Sequence, residues 1–332
     1  MRLHPKPDFP HDFDLQEEID RIRAHQIKRG IPKPTNQNLI IATWNLTNFG
    51  LQEREDKHIR MMAEIARPFD VIAVQEVADN IKHLSKLLDY LGADWDVKLT
   101  DVGGNTERLG FIFKKGRLEM TELAAELAMK GYERNKIVIT VGDESGTLHE
   151  ELFMGFNRNP YMLGFKADGF LFTLVNVHLY WSNLMWRRLE ATALAKWAKS
   201  RVKKLFPPNN DIILIGDFNM YKVEPGDVIY DDVVKNGGLV FPKYETEFVG
   251  TNLAGDGDYD ELAFFPSRTE EDFTGRIGVF DFDDAVFAEL WPKDSEEPKK
   301  KKEKKERFFQ YIRYYLADHR PLWAEFHRLG DN

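Results

Sequence analysis

The chain has 332 residues, 42% of them apolar, including 24 Phe, 11 Tyr and 7 Trp, enough for a sizeable core in one large domain or two small ones. It holds no cysteine, which excludes disulfides, thiolate nucleophiles and Cys-ligated metal centres. A net charge of −9 argues against an extended nucleic-acid-wrapping surface, leaves room for a local basic groove, and suits carboxylates gathered around a divalent cation.

Residues 1–38 are polar and carry one helical pattern, DLQEEIDRIRAHQIKR, broken by Pro32 and Pro34; they read as an N-terminal extension. From residue 39 to 328 a single catalytic-sized domain is expected. NLIIATWNL is an apolar strand-like run, HIRMMAEIARPF has helical spacing with Ile59, Met62, Ala63, Ile65 and Ala66 on one face, and VIAVQEV reads as a buried strand. NIKHLSKLLDYLG is a helix closed by Gly92. LGFIFKK, KIVITV, ELFMGF, YMLGFKA and FLFTLVNVHLY follow as successive strands. Residues 183–205 predict a long helix with Leu184, Leu189, Leu194 and Trp197 inward. DIILIGDFN, ELAFFP, VFDFDDAVF and PLWAEFH complete the strands. Residues 293–307, KDSEEPKKKKEKKER, form a charged insertion that reads as a solvated loop or helix end.

Runs of hairpins interrupted by a few helices predict an α+β (mixed α/β) fold: a four-layer α/β-sandwich of two packed mixed β-sheets flanked by helices. No apolar run reaches the roughly 18 residues of a membrane span, and no signal-peptide core opens the chain. The expectation is a cytoplasmic protein with no membrane span and no obligate protein partner.

Five strand ends finish on polar residues of metal-binding or proton-transfer type: Asn45, Glu76, His178, Asp217 with Asn219, and Asp318–His319. Singly each has a plain explanation, a loop acid or a turn-forming Asp. Together they suit phosphate-ester cleavage. Hard cations take oxygen ligands, which Asn45, Glu76, Asp217 and Asp318 offer. Histidines titrating near neutrality serve as acid and base.

The motifs WNLTNFG, VIAVQEV, VNVHLY, LIGDFNM and ADHRPLW occur in the order of the endonuclease/exonuclease/phosphatase superfamily, and the chain most resembles its deoxyribonuclease I-like branch over roughly residues 39–328. TERLGFIF, GFNRNPYML and DYDELAF add Glu107, Arg158 and Asp260 to the match. The resemblance implies an Mg²⁺- or Mn²⁺-dependent nuclease, with Ca²⁺ as a candidate structural support and nucleic acid as substrate, DNA ahead of RNA. Asn45, Glu76 and Asp318 would hold the cation. His178, oriented by Glu107, would be the acid, and His319, oriented by Asp260, the base. Asp217 and Asn219 would position the scissile phosphate or a second cation, and Arg158 would neutralise phosphoryl charge. Two positions depart from the branch: Ala78 and Asn105 stand where it has an Arg and a Tyr that touch the DNA minor groove. A helix with Trp186, Arg187, Arg188, Lys196, Lys199, Arg201, Lys203 and Lys204 could offer a basic surface or be a solvated face. The second substrate class left open is a small-molecule, nucleotide or lipid-headgroup phosphate ester.

Overall fold

Strands covered on both faces read as unbroken apolar runs, because alternate side chains enter two different cores. Strand β1 (Asn38–Phe49) shows this over its whole length. Leu39 and Ile41 face one core, while Ile40, Ala42, Trp44 and Leu46 face another. The computed structural model describes residues 3–142, 148–202, 211–243, 249–293 and 295–329. Helix α1 (Leu15–Lys28) precedes β1. After it come α2 (Asp56–Ala66), β2 (Val71–Ala78), α3 (Lys82–Leu91), β3 (Trp95–Leu99), β4 (Glu107–Lys114), β5 (Glu119–Glu126), α4 (Gly131–Arg134), β6 (Val138–Gly142) and β7 (Leu148–Leu152). The chain continues through β8 (Tyr161–Ala167), β9 (Phe170–His178), α5 (Leu184–Val202), β10 (Asp211–Asp217), α6 (Val228–Gly237), β11 (Asp260–Phe264), α7 (Pro266–Thr269), β12 (Phe273–Val279), α8 (Pro298–Tyr315) and β13 (Leu322–His327).

Two mixed sheets result, ordered β12-β13-β1-β2-β4-β3 and β11-β10-β9-β8-β5. They pack face to face through Ile41, Ala73 and Phe111 on one side and Phe165, Leu174 and Ile215 on the other. Helices α1, α2, α3 and α8 cover the outer face of the first sheet, and α5 and α6 that of the second. This is the expected four-layer sandwich. One polar tie crosses its centre: Gln75 Nε2 donates to Asn176 Oδ1 at 2.7 Å, and Asn176 Nδ2 donates to the Val74 and Gly110 carbonyls at 3.0 and 2.8 Å. All of it is buried, where an unmet amide would cost about 1–3 kcal/mol.

Several expectations need correction. KIVITV forms a strand, but ELFMGF does so only in its first two residues, since β7 ends at Leu152, and β6 and β7 pair only with each other. VFDFDDAVF is not one strand: β12 ends at Val279, and Phe282–Asp284 is a 3-10 turn. Leu184 is exposed, because α5 begins there, ahead of the turn that meets the sheet. Residues 203–205 of the predicted helix lie outside the described residues. The charged insertion is mostly the solvated first half of α8, whose second half buries Phe308, Tyr311, Ile312 and Tyr315. The N-terminal segment packs on the same core, through Ile22 and Ile31. Among the described residues no helix is long and apolar enough to cross a membrane.

Helix α2 carries an acid-sensitive group. His58 is fully buried, with Nε2 3.0 Å from the Tyr311 hydroxyl and its ring stacked on Tyr315 at 4.3 Å. Burial, with Lys57 and Arg54 adding to it, pushes its imidazole down to about 3. Above about pH 6.5 the group is neutral folded or unfolded. As the pH falls from there toward about 3, only the unfolded chain takes the proton, so stability is lost over that window. At pH 5 the loss amounts to about 2 kcal/mol. His58→Gln should shrink the drop in unfolding free energy between pH 7 and pH 5, measured by urea titration, by that amount, and parallel pH curves for the two proteins would refute the assignment.

Candidate active site

The site lies along one edge of the sandwich, where backbone irregularities aim the side chains. Strand β1 shifts register between Asn45 and Phe49, and β2 between Val74 and Val77. Such bulges bend a strand and redirect its residues. Here they place Thr47, Asn48 and Glu76 in left-handed backbone, with φ of 51°, 50° and 57°. Asn105 and Asn219 at the same edge have φ of 60° and 50°. Each such residue costs on the order of 1 kcal/mol or more, and is held only where its surroundings over-determine it. Glu76 is so held: it accepts from the Asn48 N–H at 2.8 Å and from Asn45 Nδ2 at 3.1 Å. Buried Arg54 donates to the Leu46, Thr47 and Leu316 carbonyls, tying the β1 bulge to the segment before Asp318.

In the second sheet the site residues lie on neighbouring strand ends. His178 of β9 pairs in register with Asp217 of β10, and Asp217 with Asp260 of β11. Gly216, at φ 140°, permits this approach, since a Cβ there would lie 2.1 Å from the Val177 carbonyl oxygen.

Two histidine–carboxylate pairs span the sheets in opposite senses. Glu107 of the first sheet meets His178 Nδ1 of the second at 2.7 Å. Asp260 of the second meets Nδ1 of His319, just before β13 of the first, at 2.6 Å. The Asp217 carboxylate lies between the two rings, 3.4 Å from His178 Nε2 and 3.9 Å from His319 Nε2. Burial and Arg158 draw the His178 imidazole down, but Glu107 and Asp217 outweigh them and hold it above its usual range. At His319 burial is likewise overcome, by Asp260, Asp217 and Asp318, and the imidazole sits well above its usual range. Burial pushes Asp260 up to about 6, against the pull of His319.

The residues fit a hard divalent cation. Burial, with Glu107 and Asp318 nearby, outweighs the pull of His178 and His319 and pushes Glu76 up, so a cation beside it would relieve a carboxylate that its surroundings only partly compensate. At Asp318 burial is outweighed by His4, His319 and Thr47, which hold the carboxyl low. Glu76, Glu107 and His178 form one tight group of possible ligands, and Asp217, Asp260 and His319 another. Each group contains an imidazole already in contact with its acid, so Glu76, Asp318 and Asp217 offer the oxygens facing the cleft.

That cleft has a volume of about 440 Å³, and its walls include Glu76, His178, Asp217, Asn219, Asp318 and His319. Asn45, Glu107 and Asp260 lie behind it, at 0%, 1% and 0% exposure. Arg158, expected at the phosphate, is not on the wall. Its guanidinium is buried behind the first pair, bonded to the His178 and Leu179 carbonyls at 2.8 Å each and 3.1 Å from Glu107. The basic helix is not a continuous cationic face: Arg187 is buried and bonds the Trp181 carbonyl, and Arg188 pairs with Asp232. Lys203 and Lys204 lie outside the described residues. Five wall residues were not singled out as site residues: Leu3, His4, Pro5, Asn48 and Trp181. Trp181 had a signal, as an aromatic just after the His178 strand. The other four had none in the sequence.

No family model matches the sequence, and no curated protein matches it. Solved structures do share its fold. A mannosyl-6-phosphatase of Bacteroides thetaiotaomicron superposes with a TM-score of 0.55 at 17% identity, over 87% of this chain and 99% of that one. An endonuclease/exonuclease/phosphatase family protein of the same organism gives 0.54 at 16%, over 87% and 95%. TDP2 of D. rerio, complexed with a single-strand DNA product, gives 0.54 at 14%, over 87% and 98%. The chain therefore has the fold of the endonuclease/exonuclease/phosphatase superfamily.

A cation bound at Glu76 and Asp318 should stabilise the folded chain by about 2.7 kcal/mol at a hundredfold excess over its Kd, seen as a rise in Tm with Mn²⁺. Glu76→Gln should abolish that rise while leaving the metal-free Tm equal or higher, since a poorly compensated buried carboxylate is removed. An undiminished Mn²⁺ shift in Glu76→Gln would place the cation elsewhere.

Proposed function

We propose that the chain is a divalent-cation-dependent hydrolase of phosphate esters. The observation that carries this reading is the convergence of two carboxylate-braced imidazoles on Asp217 within one cleft. A cation on Glu76, Asp318 and Asp217 would stabilise phosphoryl charge and offset the carboxylates that hold the His319 proton.

His178 receives its charge-stabilising contact at Nδ1 from Glu107, so Nε2 is the proton-donating atom toward the cleft, suited to a departing oxygen. Asp260 fixes the His319 ring in the same way, leaving its Nε2 to accept a proton from water. Asp217 lies between the two Nε2 atoms. Asn219 lines the cleft, its N–H bonded to Asp217 Oδ1 at 2.8 Å and its amide to the Leu179 carbonyl at 3.0 Å. Arg158 supports the chemistry by position: it fixes the strand end that carries His178 and adds positive charge beside Glu107.

Deoxyribonuclease I-like cleavage of DNA is one substrate reading, favoured by the resemblance of the motifs. A small or terminal phosphate ester is the other. It is favoured by Asn105, which lines the cleft where that branch has a groove-contacting Tyr, and by a cleft volume of about 440 Å³, within the range of small-ligand sites.

His178→Ala and His319→Ala should each lower kcat for a phosphate ester about 10²–10⁴-fold, with the Mn²⁺-induced Tm rise retained. Full activity in both variants would remove the reading. A nicking assay on plasmid beside a panel of small esters, each with Mg²⁺ and Mn²⁺, separates the two substrate classes.

A further inference from the structure

The cleft is lined in part by a segment at the other end of the chain from Asp318 and His319. Leu3, His4 and Pro5 line it together with Asp318, Trp181 and Asn105. His4 is anchored twice. Its Nε2 lies 2.8 Å from Asp318 Oδ2, and its N–H donates to Gln52 Oε1 at 3.0 Å. Gln52 is itself buried, its amide held by the Arg313 and Tyr314 carbonyls at 3.1 and 3.0 Å. The segment is also stiff. Pro5, Pro7 and Pro10 fix their own φ and restrict the residues before them, and Pro7 is buried. Farther along, the Phe9 ring is covered by the Arg307 guanidinium at 4.0 Å, and His11 meets Phe287 and Tyr311 edge-on.

We infer that residues 3–5 are a specificity wall, confining the cleft to phosphate esters whose organic part is one compact group, a single sugar or nucleoside, rather than an internal bond of a polymer. This rests on the phosphoesterase reading above. A group bound at Asp217 and the two imidazoles lies in a space of about 440 Å³ that Leu3, His4 and Pro5 help to line, a volume suited to one ring and its phosphate. Leu3 and the half-exposed Trp181 give that ring apolar surfaces, above a floor of carboxylates and histidines. A polymer bonded on both sides of its phosphate needs room for chain on both sides of the site, and on this inference residues 3–5 occupy one of those sides. His4 acts as a positioning residue that fixes the wall to the floor through Asp318.

The test compares kcat/KM for thymidine 5′-monophosphate, read as phosphate release, with that for circular single-stranded DNA, which has no ends, at saturating Mn²⁺. The full chain and the full chain carrying Leu3→Gly, His4→Gly and Pro5→Gly are measured together. Opening the wall should raise the ratio of circle to small ester about tenfold or more, through a higher KM for the small ester and faster cutting of the circle. A ratio unchanged within about twofold overturns the inference, as does a parent protein that already cuts the circle as efficiently as the small ester. Should the triple variant not fold, His4→Ala serves: it should raise KM for the small ester more than it lowers kcat, and His4→Gln, which keeps a donor for Asp318, should restore KM. A fall in kcat alone, or no rescue, counts against the wall. Failure of the parent protein to hydrolyse any ester with Mn²⁺ demonstrably bound would instead remove the phosphoesterase reading itself.

Discussion

Each histidine–carboxylate pair is assembled across the interface between the sheets. Glu107 and His178 come from opposite sheets, as do His319 and Asp260, and Asn45 of the first sheet bonds Asp217 of the second at 3.1 Å. No single sheet or hairpin contains a working pair. The chemistry therefore depends on how the two faces seat against each other, which close packing around Phe111, Phe165 and Leu174 fixes to within a methyl group. The Gln75–Asn176 bond adds direction to that packing. Apolar contact tolerates sliding, whereas an amide pair bonded to particular carbonyls sets one register.

The same geometry explains why so many carboxylates can be gathered in one place. Glu76, Glu107, Asp217, Asp260 and Asp318 together would repel strongly if all were buried and charged. Each is offset by a different device: a backbone N–H and an amide for Glu76, an imidazole and a guanidinium for Glu107, a hydroxyl and His4 for Asp318, and the Asn45 amide and the Asn219 N–H for Asp217. Asp260 is met by the His319 imidazole at 2.6 Å. Arg54 adds positive charge just beneath, although burial pulls its guanidinium down to about 9.

Much of this was legible in the sequence because the strands are short and covered on both sides. Runs such as IILIG and VIAVQ can only be buried strands, and the polar residue that ends each must emerge at a sheet edge. Position along the chain thus implied position in the site for Glu76, His178 and Asp217. What escaped notice was decided by tertiary environment. Strand β5, EMTELAAE, has helix-favouring residues and lies at a sheet edge only because β8 pairs with it. Helix α8 was masked by its lysine-rich first half. Arg158 was identified but its direction was not, since a guanidinium reaches a phosphate or a buried carbonyl equally well. His4 gave no signal, because its partner Asp318 lies at the other end of the sequence and nothing local predicts the meeting.

Helix α1 gives the wall segment a further property. Its N-cap Asp14 accepts from the Glu17 N–H, buried Glu18 accepts from the Phe287 N–H at 3.0 Å, and His25 bonds Asp281 at 2.9 Å. Residues 3–5 are thus leashed by residues 6–13 to a firmly docked anchor. A segment leashed so closely keeps an effective concentration on the order of millimolar at its own seat, even when displaced. Were the segment to leave its seat, its return would be unimolecular and indifferent to how dilute the protein is.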